Sequence, residues 1–324
     1  MATVVAPAPP QSPARKLTKP WRDGDQITHL VTLIFAGSVF LVTVFLVYEL
    51  WIHSGPSRAK FGFGFITGRV WDPVSQQFGA LPFIYGTVLT SILALVISVP
   101  LGVGAAIFLS ELAPPRLSNA CTFLVELLAA VPSVIFGLLA IFTLVPLLRS
   151  YVEPFLKDTL GYLPLFQGPA YGVGYLAAGL ILAVMTFPFI ISISREALMA
   201  VPREQREAAL ALGATKWEST WQVVVPFARL GILGSIFLAL ARALGETMAV
   251  TMVIGNDTGI HTSLLSPGYT IAAIIANEFT EATGDVYLSS LVELGLVLFA
   301  LTMVLNAAAQ LLIIVTTGKG SKQN

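Results

Sequence analysis

The chain has 324 residues, of which 56% are hydrophobic and only 11% are charged. Soluble domains usually carry about 25% charged residues, so this composition excludes a water-soluble globular protein and indicates an integral membrane protein. The formal net charge is zero, which gives no sign of a nucleic acid partner. The single cysteine, Cys121, cannot form a disulfide within the chain and is interpreted as a buried small residue.

Six apolar stretches are each long enough to cross a bilayer, which takes roughly 20 mostly apolar residues in a helix. They run from about Ile27 to Ile52, Phe83 to Leu109, Cys121 to Leu148, Val173 to Leu198, Ala228 to Ile254 and Tyr287 to Thr316. The sequence therefore predicts an all-α polytopic membrane protein with six transmembrane helices. The first span is interpreted as an uncleaved anchor, because it is too long for the core of a signal peptide.

The predicted organisation has four parts. A disordered tail at 1–26 is followed by the first helix and an outer loop at 27–82, a permease-like core of five helices at 83–316, and a short tail at 317–324. With six spans both termini lie on one side of the membrane. Counted with the N-terminus inside, the inner segments carry twelve Lys and Arg residues and the outer segments carry five. Because cytoplasmic loops are enriched in Lys and Arg, both termini are predicted to be cytoplasmic.

The longest inner connection, 199–226, is predicted to be a helical hairpin facing the cytoplasm. Its first half, 203–212, consists of strong helix formers, and Gly213 follows where a helix would end in a left-handed cap. Thr215 and Glu218 form a capping-box pattern that opens a second helix.

Pro226 is predicted to end this second helix. An ordinary surface hairpin that only joins two spans would give the same local pattern. The hairpin carries a more specific pattern, since Glu207-Ala208-Ala209, then Gly213 and then Pro226, resembles the EAA signature of ATP-binding-cassette (ABC) importer permeases. Val223 and Val225 stand where the signature has Ile and Leu, which is a mild departure.

The EAA resemblance implies that Glu207, Ala208 and Gly213 belong to a joint that docks into a groove on a separate ATPase subunit. The sequence contains no G-x-x-x-x-G-K-[ST] motif, so this chain is not expected to hydrolyse ATP by the usual route. ATP is expected on the partner, no cofactor is expected on this chain, and the chain is predicted to be a transport subunit rather than an enzyme.

Ionisable residues at membrane depth are costly and by default suggest function. Four stand out in the predicted spans: Glu126, Arg242, Glu246 and Glu293. Arg242 is predicted near the middle of the fifth span, where an arginine costs about 2.5–3.5 kcal/mol on insertion scales. Glu246 follows four residues later, so the two are predicted to share a helix face. Either Arg242 forms a structural ion pair with Glu246 or Glu126, or its guanidinium meets an oxyanion along a polar path.

The segment from Arg242 to Asn256, RALGETMAVTMVIGN, is similar to the fifth span of the phosphate importer permeases of the PstC family. Four more segments are similar to this family: YGTVLTS at 85–91, VPLGVGAAIFLSE at 99–111, ELLAAVPSVIFG at 126–137 and IIANEF at 274–279. The resemblance implies a type I ABC importer permease fold and inward transport of phosphate. It also implies a substrate pathway formed by Arg242, Glu246, Thr247, Asn256 and Glu126.

The same resemblance implies the partners and the location. They are a homologous second permease subunit, a homodimeric ATP-binding subunit, an external phosphate-binding protein that is periplasmic or lipid-anchored, and membrane lipid. The implied location is the bacterial inner membrane. The histidines are scattered and suggest no metal site: His29, His53 and His261.

Several alternatives remain open at the level of the sequence. The half-apolar segment Tyr269–Phe279 is too short to span and is either a re-entrant helix or an amphipathic loop helix. The cargo of the same class of importer could be sulfate, molybdate or an uncharged solute. A secondary transporter or channel would instead use Glu126, Glu246 and Glu293 as a proton or cation relay. A purely structural scaffold would give no reason for an arginine, Arg242, in the middle of a membrane span.

Overall fold

A computed structural model of the chain describes residues 21–318, with side chains described for 28–311. Within these residues six helices are long and apolar enough to cross a membrane, which confirms the predicted number. They are Thr28–His53, Leu81–Leu112, Ser133–Leu160, Tyr175–Met199, Lys216–Gly245 and Asp285–Leu311. Of the predicted tails, 1–20 and 319–324 lie outside the described residues, while 21–26 and 317–318 are helical.

The described residues divide into two units, one that ends at Glu49 and one that begins at Leu50. The described part of the first unit is the start of α1 (Trp21–His53), a single apolar helix. The second unit contains the end of α1 and all the other elements. These are α2 (Gly55–Phe61), α3 (Gly64–Thr67), β1 (Trp71–Asp72), β2 (Gln77–Phe78), α4 (Leu81–Ile107), α5 (Pro115–Ala129), α6 (Ser133–Leu139), α7 (Val145–Leu147), α8 (Glu153–Leu160), α9 (Tyr175–Met199), α10 (Arg203–Ala211), α11 (Lys216–Ser219), α12 (Val225–Gly245), α13 (Met248–Val253), α14 (Ile271–Glu278) and α15 (Asp285–Gly318).

Wide π-type turns continue the second, third and fifth spans beyond or between these helices. The turns are Phe108–Leu112, Ala140–Leu144, Leu148–Val152 and Thr220–Val224. The last three each come directly before a helix whose second residue is a proline, namely Pro146, Pro154 or Pro226. A proline ring clashes with the carbonyl four residues earlier, and a wider turn relieves that clash. The prediction that Pro226 ends the hairpin helix is therefore wrong, because the helix runs on into the fifth span.

Helices α4 and α9 pack against each other at the centre of the second unit, and α9 is the most buried membrane helix described. Glycines bring the two helices together. A Cβ atom placed on Gly102 would lie 2.7 Å from Cγ2 of Ile190, and one on Gly179 would lie 2.4 Å from Cδ2 of Leu93. Only a residue without a side chain allows so close an approach between helices.

The third span begins later than predicted. Helix α5 ends at Ala129, and Pro132 has an extended conformation with φ −59° and ψ 141°. The spanning helix therefore starts anew at Ser133 rather than near Cys121. Glu126, which was predicted to lie within the span, is on α5 before this break, and its side chain is exposed.

The loop between α1 and α4 contains a small antiparallel strand pair in which Trp71 is opposite Phe78. Trp71 packs edge-on against Phe78 and Phe83, with ring centroids 4.7 and 5.1 Å apart. Its indole Nε1 donates a hydrogen bond of 2.8 Å to Glu278 Oε2, and the hydroxyl of Tyr287 donates one of 2.7 Å to the same oxygen. The carboxylate of Glu278 thus joins the end of α14 to the strand pair and to the start of α15.

Candidate functional site

The helix that carries Arg242 ends within one turn after this residue. Helix α12 stops at Gly245, with Arg242 in its last turn, and Glu246 has an extended conformation with φ −69° and ψ 127°. The chain resumes as α13 at Met248. The predicted unbroken fifth span is therefore wrong, as is the shared helix face of Arg242 and Glu246. The last turn of a helix carries a partial negative charge that favours an arginine, which offsets part of its cost.

The guanidinium of Arg242 packs on an aromatic ring instead of an acid. Its Cζ lies 4.2 Å from the centroid of the Phe189 ring on α9. Its Nε is buried and has no hydrogen-bond partner in the described part of the chain. A cation–π contact stabilises a guanidinium by roughly 0.5–2 kcal/mol, depending on how far the group is desolvated, and it leaves the N–H donors free. The arrangement can therefore accept an oxyanion, and the structural ion pair with Glu246 or Glu126 is not formed.

Glu246 and Thr247 form the extended link between α12 and α13. Glu246 Oε1 accepts a long hydrogen bond of 3.5 Å from the amide of Ala249, and the hydroxyl of Thr247 donates one of 3.3 Å to the carbonyl of Gly245. Both side chains are half-buried. An interrupted helix at membrane depth is tolerated only where its backbone faces protein or a water-filled cavity, so the link is not expected to face lipid.

Asn256 lies past the end of α13 and adopts a left-handed backbone conformation with φ 55°. Its side-chain amide donates to the carbonyl of Thr251 at 3.2 Å, and the side chain is exposed. Next to it, the carboxylate of Asp257 receives hydrogen bonds from the amide of Gly259 and from His261. Burial alone would raise the pKa of Asp257, but these hydrogen bonds and the charge of His261 outweigh it and lower that pKa.

Gly137 on α6 allows close contact with α13. A Cβ atom on Gly137 would lie 2.5 Å from the sulfur of Met252 and 3.1 Å from Cα of Ala249. The ELLAAVPSVIFG segment thus supports the broken fifth span through Gly137. Glu126, at the start of that segment, is on a different helix, and its carboxylate makes no hydrogen bond or ion pair to a described residue.

The segment around α14 is inserted into the second unit rather than lying on its surface. Four consecutive residues of α14, from Ile271 to Ile274, are buried. The amide of Ile271 donates to Thr87 Oγ1 on α4 at 3.0 Å, and a Cβ on Gly86 would lie 2.0 Å from the carbonyl oxygen of Tyr269. This burial favours the re-entrant interpretation over the amphipathic loop helix.

The hairpin between α9 and α12 has the predicted local geometry. Gly213 has a left-handed φ of 91° after α10. The Thr215 side chain accepts a hydrogen bond from the amide of Glu218, whose carboxylate accepts one from the amide of Thr215, which confirms the capping box. Glu207 and Ala208 are exposed on α10, where a partner subunit can reach them. Their docking role remains a prediction.

One residue pair of the hairpin could not be predicted from the sequence. Arg206 on α10 forms an ion pair of 2.8 Å with Glu111 in the turn that follows α4. The two residues are 95 positions apart, so no local pattern relates them. The sequence offered one weak signal. Glu111 is the last residue of the VPLGVGAAIFLSE segment, and Arg206 directly precedes the EAA signature.

Known proteins resemble this chain over most of its length. The family described as "Binding-protein-dependent transport system inner membrane component" matches residues 98–313. The phosphate transport system permease protein PstC of Mesorhizobium japonicum is 48% identical over 290 residues, which cover 88% of this chain and 89% of that protein. PstC of Haemophilus influenzae is 46% identical over 286 residues, which cover 87% of this chain and 90% of that protein.

Solved structures support the fold. A chain of a bacterial ABC transporter involved in the import of the acidic polysaccharide alginate matches with a TM-score of 0.57, at 17% identity, over 90% of this chain and 99% of that chain. A chain of the MetNI methionine ABC transporter in an inward-facing conformation matches with a TM-score of 0.50, at 18% identity, over 73% of this chain and 94% of that chain. These likenesses establish an all-α ABC importer permease fold. The chain belongs to the binding-protein-dependent transport system inner membrane component family and, within it, to the PstC family of phosphate transport system permease proteins.

Proposed function

We propose that this chain forms half of the transmembrane pathway of an ATP-driven importer that carries inorganic phosphate from a binding protein into the cytoplasm. The observation that carries the proposal is the identity of 46–48% with phosphate transport system permease proteins from several organisms. The family assignment makes the chain a multi-pass membrane protein and a transport subunit rather than an enzyme. An ATPase and a binding protein are the partners that such a subunit requires.

The chemistry around Arg242 supports an anionic cargo. Its guanidinium is held on the Phe189 ring, and its donors are not used by described residues. A planar fork of N–H donors matches two oxygens of a phosphate. Glu246, in the link that follows, would repel the anion and so limit its affinity, which lets the phosphate leave. Thr247 and Asn256 would supply neutral polar groups along the same path, and Glu126 would contribute from α5.

The specific assembly is part of the proposal. A homologous second permease subunit would form the other half of the path, in a heterodimer. A homodimeric ATP-binding subunit would hold the ATP and contact Glu207, Ala208 and Gly213, so that this chain binds no cofactor. The phosphate-binding protein would be periplasmic or lipid-anchored. The excess of Lys and Arg in the inner segments supports a bacterial inner-membrane location with both termini in the cytoplasm.

Transport assays with the complete complex in vesicles test this proposal. The complex contains this chain, its permease partner and the ATPase, with the binding protein on the outside, and uptake of labelled phosphate is compared with uptake of labelled sulfate. We expect ATP-dependent uptake of phosphate and little uptake of sulfate. Equal uptake of sulfate would contradict the cargo, and uptake that follows a proton gradient without ATP would favour the relay of Glu126, Glu246 and Glu293.

A further inference from the structure

We propose that the Glu111–Arg206 ion pair is the positioning element through which movement of the hairpin reaches α4 and α9, and through them Arg242. The inference rests on the proposed function, because it concerns how ATP-driven movement is passed to the transport site. It adds two residues to the coupling machinery beyond Glu207, Ala208 and Gly213.

One guanidinium joins three elements of the fold. Arg206 Nη2 and Nε on α10 donate to the two carboxylate oxygens of Glu111 at 2.8 and 3.2 Å, which is a bidentate arrangement. Nη1 donates to the carbonyl of Val201 at 2.5 Å, and Nη2 also donates to the carbonyl of Leu198 at 2.7 Å. Glu111 belongs to the turn that ends the second span, and Leu198 belongs to the last turn of α9. The side chain therefore ties α10 to the ends of both central helices.

The pair is well shielded from water. The side chain of Arg206 is 22% exposed and that of Glu111 is 11% exposed. Ion pairs at such sites are screened less by salt than surface pairs, and loss of one partner leaves the other charge poorly compensated. A rigid two-point contact of this kind can transmit a push or a pull, whereas a flexible surface pair cannot.

Packing alone holds α10 weakly. None of the nine residues of α10 is buried, and the helix otherwise contacts α11 and the turn that follows α11. The second half of the hairpin is held differently, since Val224 and Ala228 share a buried apolar cluster with Ile107 and Leu198. The face of α10 that carries the EAA residues is therefore positioned chiefly through Arg206.

A chain of close contacts leads from the ion pair to the transport site. Glu111 lies in the turn that directly follows α4. Helix α4 meets α9 at Gly102, where a Cβ atom would lie 2.7 Å from Cγ2 of Ile190. The backbone of α4 at Gly102 therefore lies directly against the Ile190 side chain, and in the proposal the two closely packed helices move together. The residue before Ile190 is Phe189, whose ring lies 4.2 Å from Cζ of Arg242. Movement of α10 would thus change the support under the Arg242 guanidinium.

The test compares the variants Glu111→Gln, Arg206→Gln and the double variant in the complete transporter in vesicles. Phosphate uptake and ATP hydrolysis are measured in the same preparation, and their ratio is the readout. Arg203→Gln is the matched control, because Arg203 is on the same helix and is exposed. Arg206→Lys keeps the positive charge but cannot form the bidentate contact with Glu111, so we expect it to give an intermediate ratio.

Each single variant is expected to lower the ratio of phosphate moved to ATP hydrolysed roughly tenfold, and the double variant no further, because paired residues are not additive. Arg203→Gln should leave the ratio unchanged. An unchanged ratio in the assembled single variants, or losses that multiply in the double variant, would overturn the proposal. If a glutamine variant does not assemble, Glu111→Asp or Arg206→Lys replaces it; an intermediate ratio is then expected, and an unchanged ratio would overturn the proposal. Absence of phosphate uptake by the unmodified complex would count against the proposed function instead.

Discussion

The guanidinium of Arg242 rests on the ring of Phe189, with 4.2 Å between Cζ and the ring centroid, and not on a carboxylate. The ring belongs to α9, the most buried of the described membrane helices, and the arginine belongs to the last turn of α12. An aromatic face stabilises the cation without using its N–H donors. The guanidinium is therefore not neutralised by a structural ion pair with a described residue, and its donors stay free, as the proposed phosphate contact requires.

The left-handed backbone at Gly213 should be required for coupling. A Cβ on Gly213 would meet no atom within 4 Å, so replacement creates backbone strain rather than a clash. With φ at 91°, Gly213→Val should cost at least about 1 kcal/mol and reorient the two hairpin helices, because β-branched residues avoid this conformation.

In vesicles, Gly213→Val should lower the phosphate moved per ATP hydrolysed. Gly213→Asn is the matched control, since asparagine adopts the left-handed region more readily, and it should retain most of the coupling. Coupling by Gly213→Val at the unmodified level would refute the docking role of this turn.

The contact between α4 and α9 should tolerate no side chain at Gly102. Gly102→Ala would put Cβ 2.7 Å from Cγ2 of Ile190, and overpacking of this kind typically costs about 1–3 kcal/mol. Gly104→Ala, two residues along the same helix, meets nothing within 4 Å and serves as the control.

Thermal unfolding of the purified complex checks this expectation. The midpoint should fall for Gly102→Ala and stay unchanged for Gly104→Ala. Equal midpoints for the two alanine variants would mean that the helices are not in tight contact at this point.

Glu278 should hold the loop between α1 and α4 against α14. Its Oε2 accepts hydrogen bonds from Trp71 and Tyr287, and Glu278→Ala leaves both donors without this partner. A partly buried donor left unsatisfied costs about 1–3 kcal/mol. Protease cleavage between β1 and β2 should therefore become faster in Glu278→Ala than in Glu281→Ala, where the altered residue is exposed. Equal cleavage rates in the two variants would show that the carboxylate of Glu278 does not secure the loop.

Periodic and local features of the fold were accessible from the sequence. The six apolar spans depend on composition over some twenty residues, and the capping box of Thr215 and Glu218 depends on neighbours three positions apart. Both therefore follow from short stretches of chain. The same is true of the left-handed Gly213.

Features that depend on tertiary contacts were not accessible. The break at Glu246 follows an apolar helix with good propensity, and Gly245 alone was a weak signal, because isolated glycines are tolerated in membrane helices. The ion pair of Glu111 and Arg206 and the contact of Phe189 with Arg242 join residues far apart in the chain. Pro226 predicted an end to the hairpin helix, but the π turn before it lets the helix continue.

Uptake by Arg242→Ala tests the central claim most directly. The variant is reconstituted with the complete complex and compared with Arg229→Ala, an exposed arginine on the same helix, at equal amounts of assembled transporter. We predict that Arg242→Ala assembles but takes up no phosphate, because it removes the donors that meet the anion, while Arg229→Ala retains uptake. Normal phosphate uptake by assembled Arg242→Ala would contradict the account.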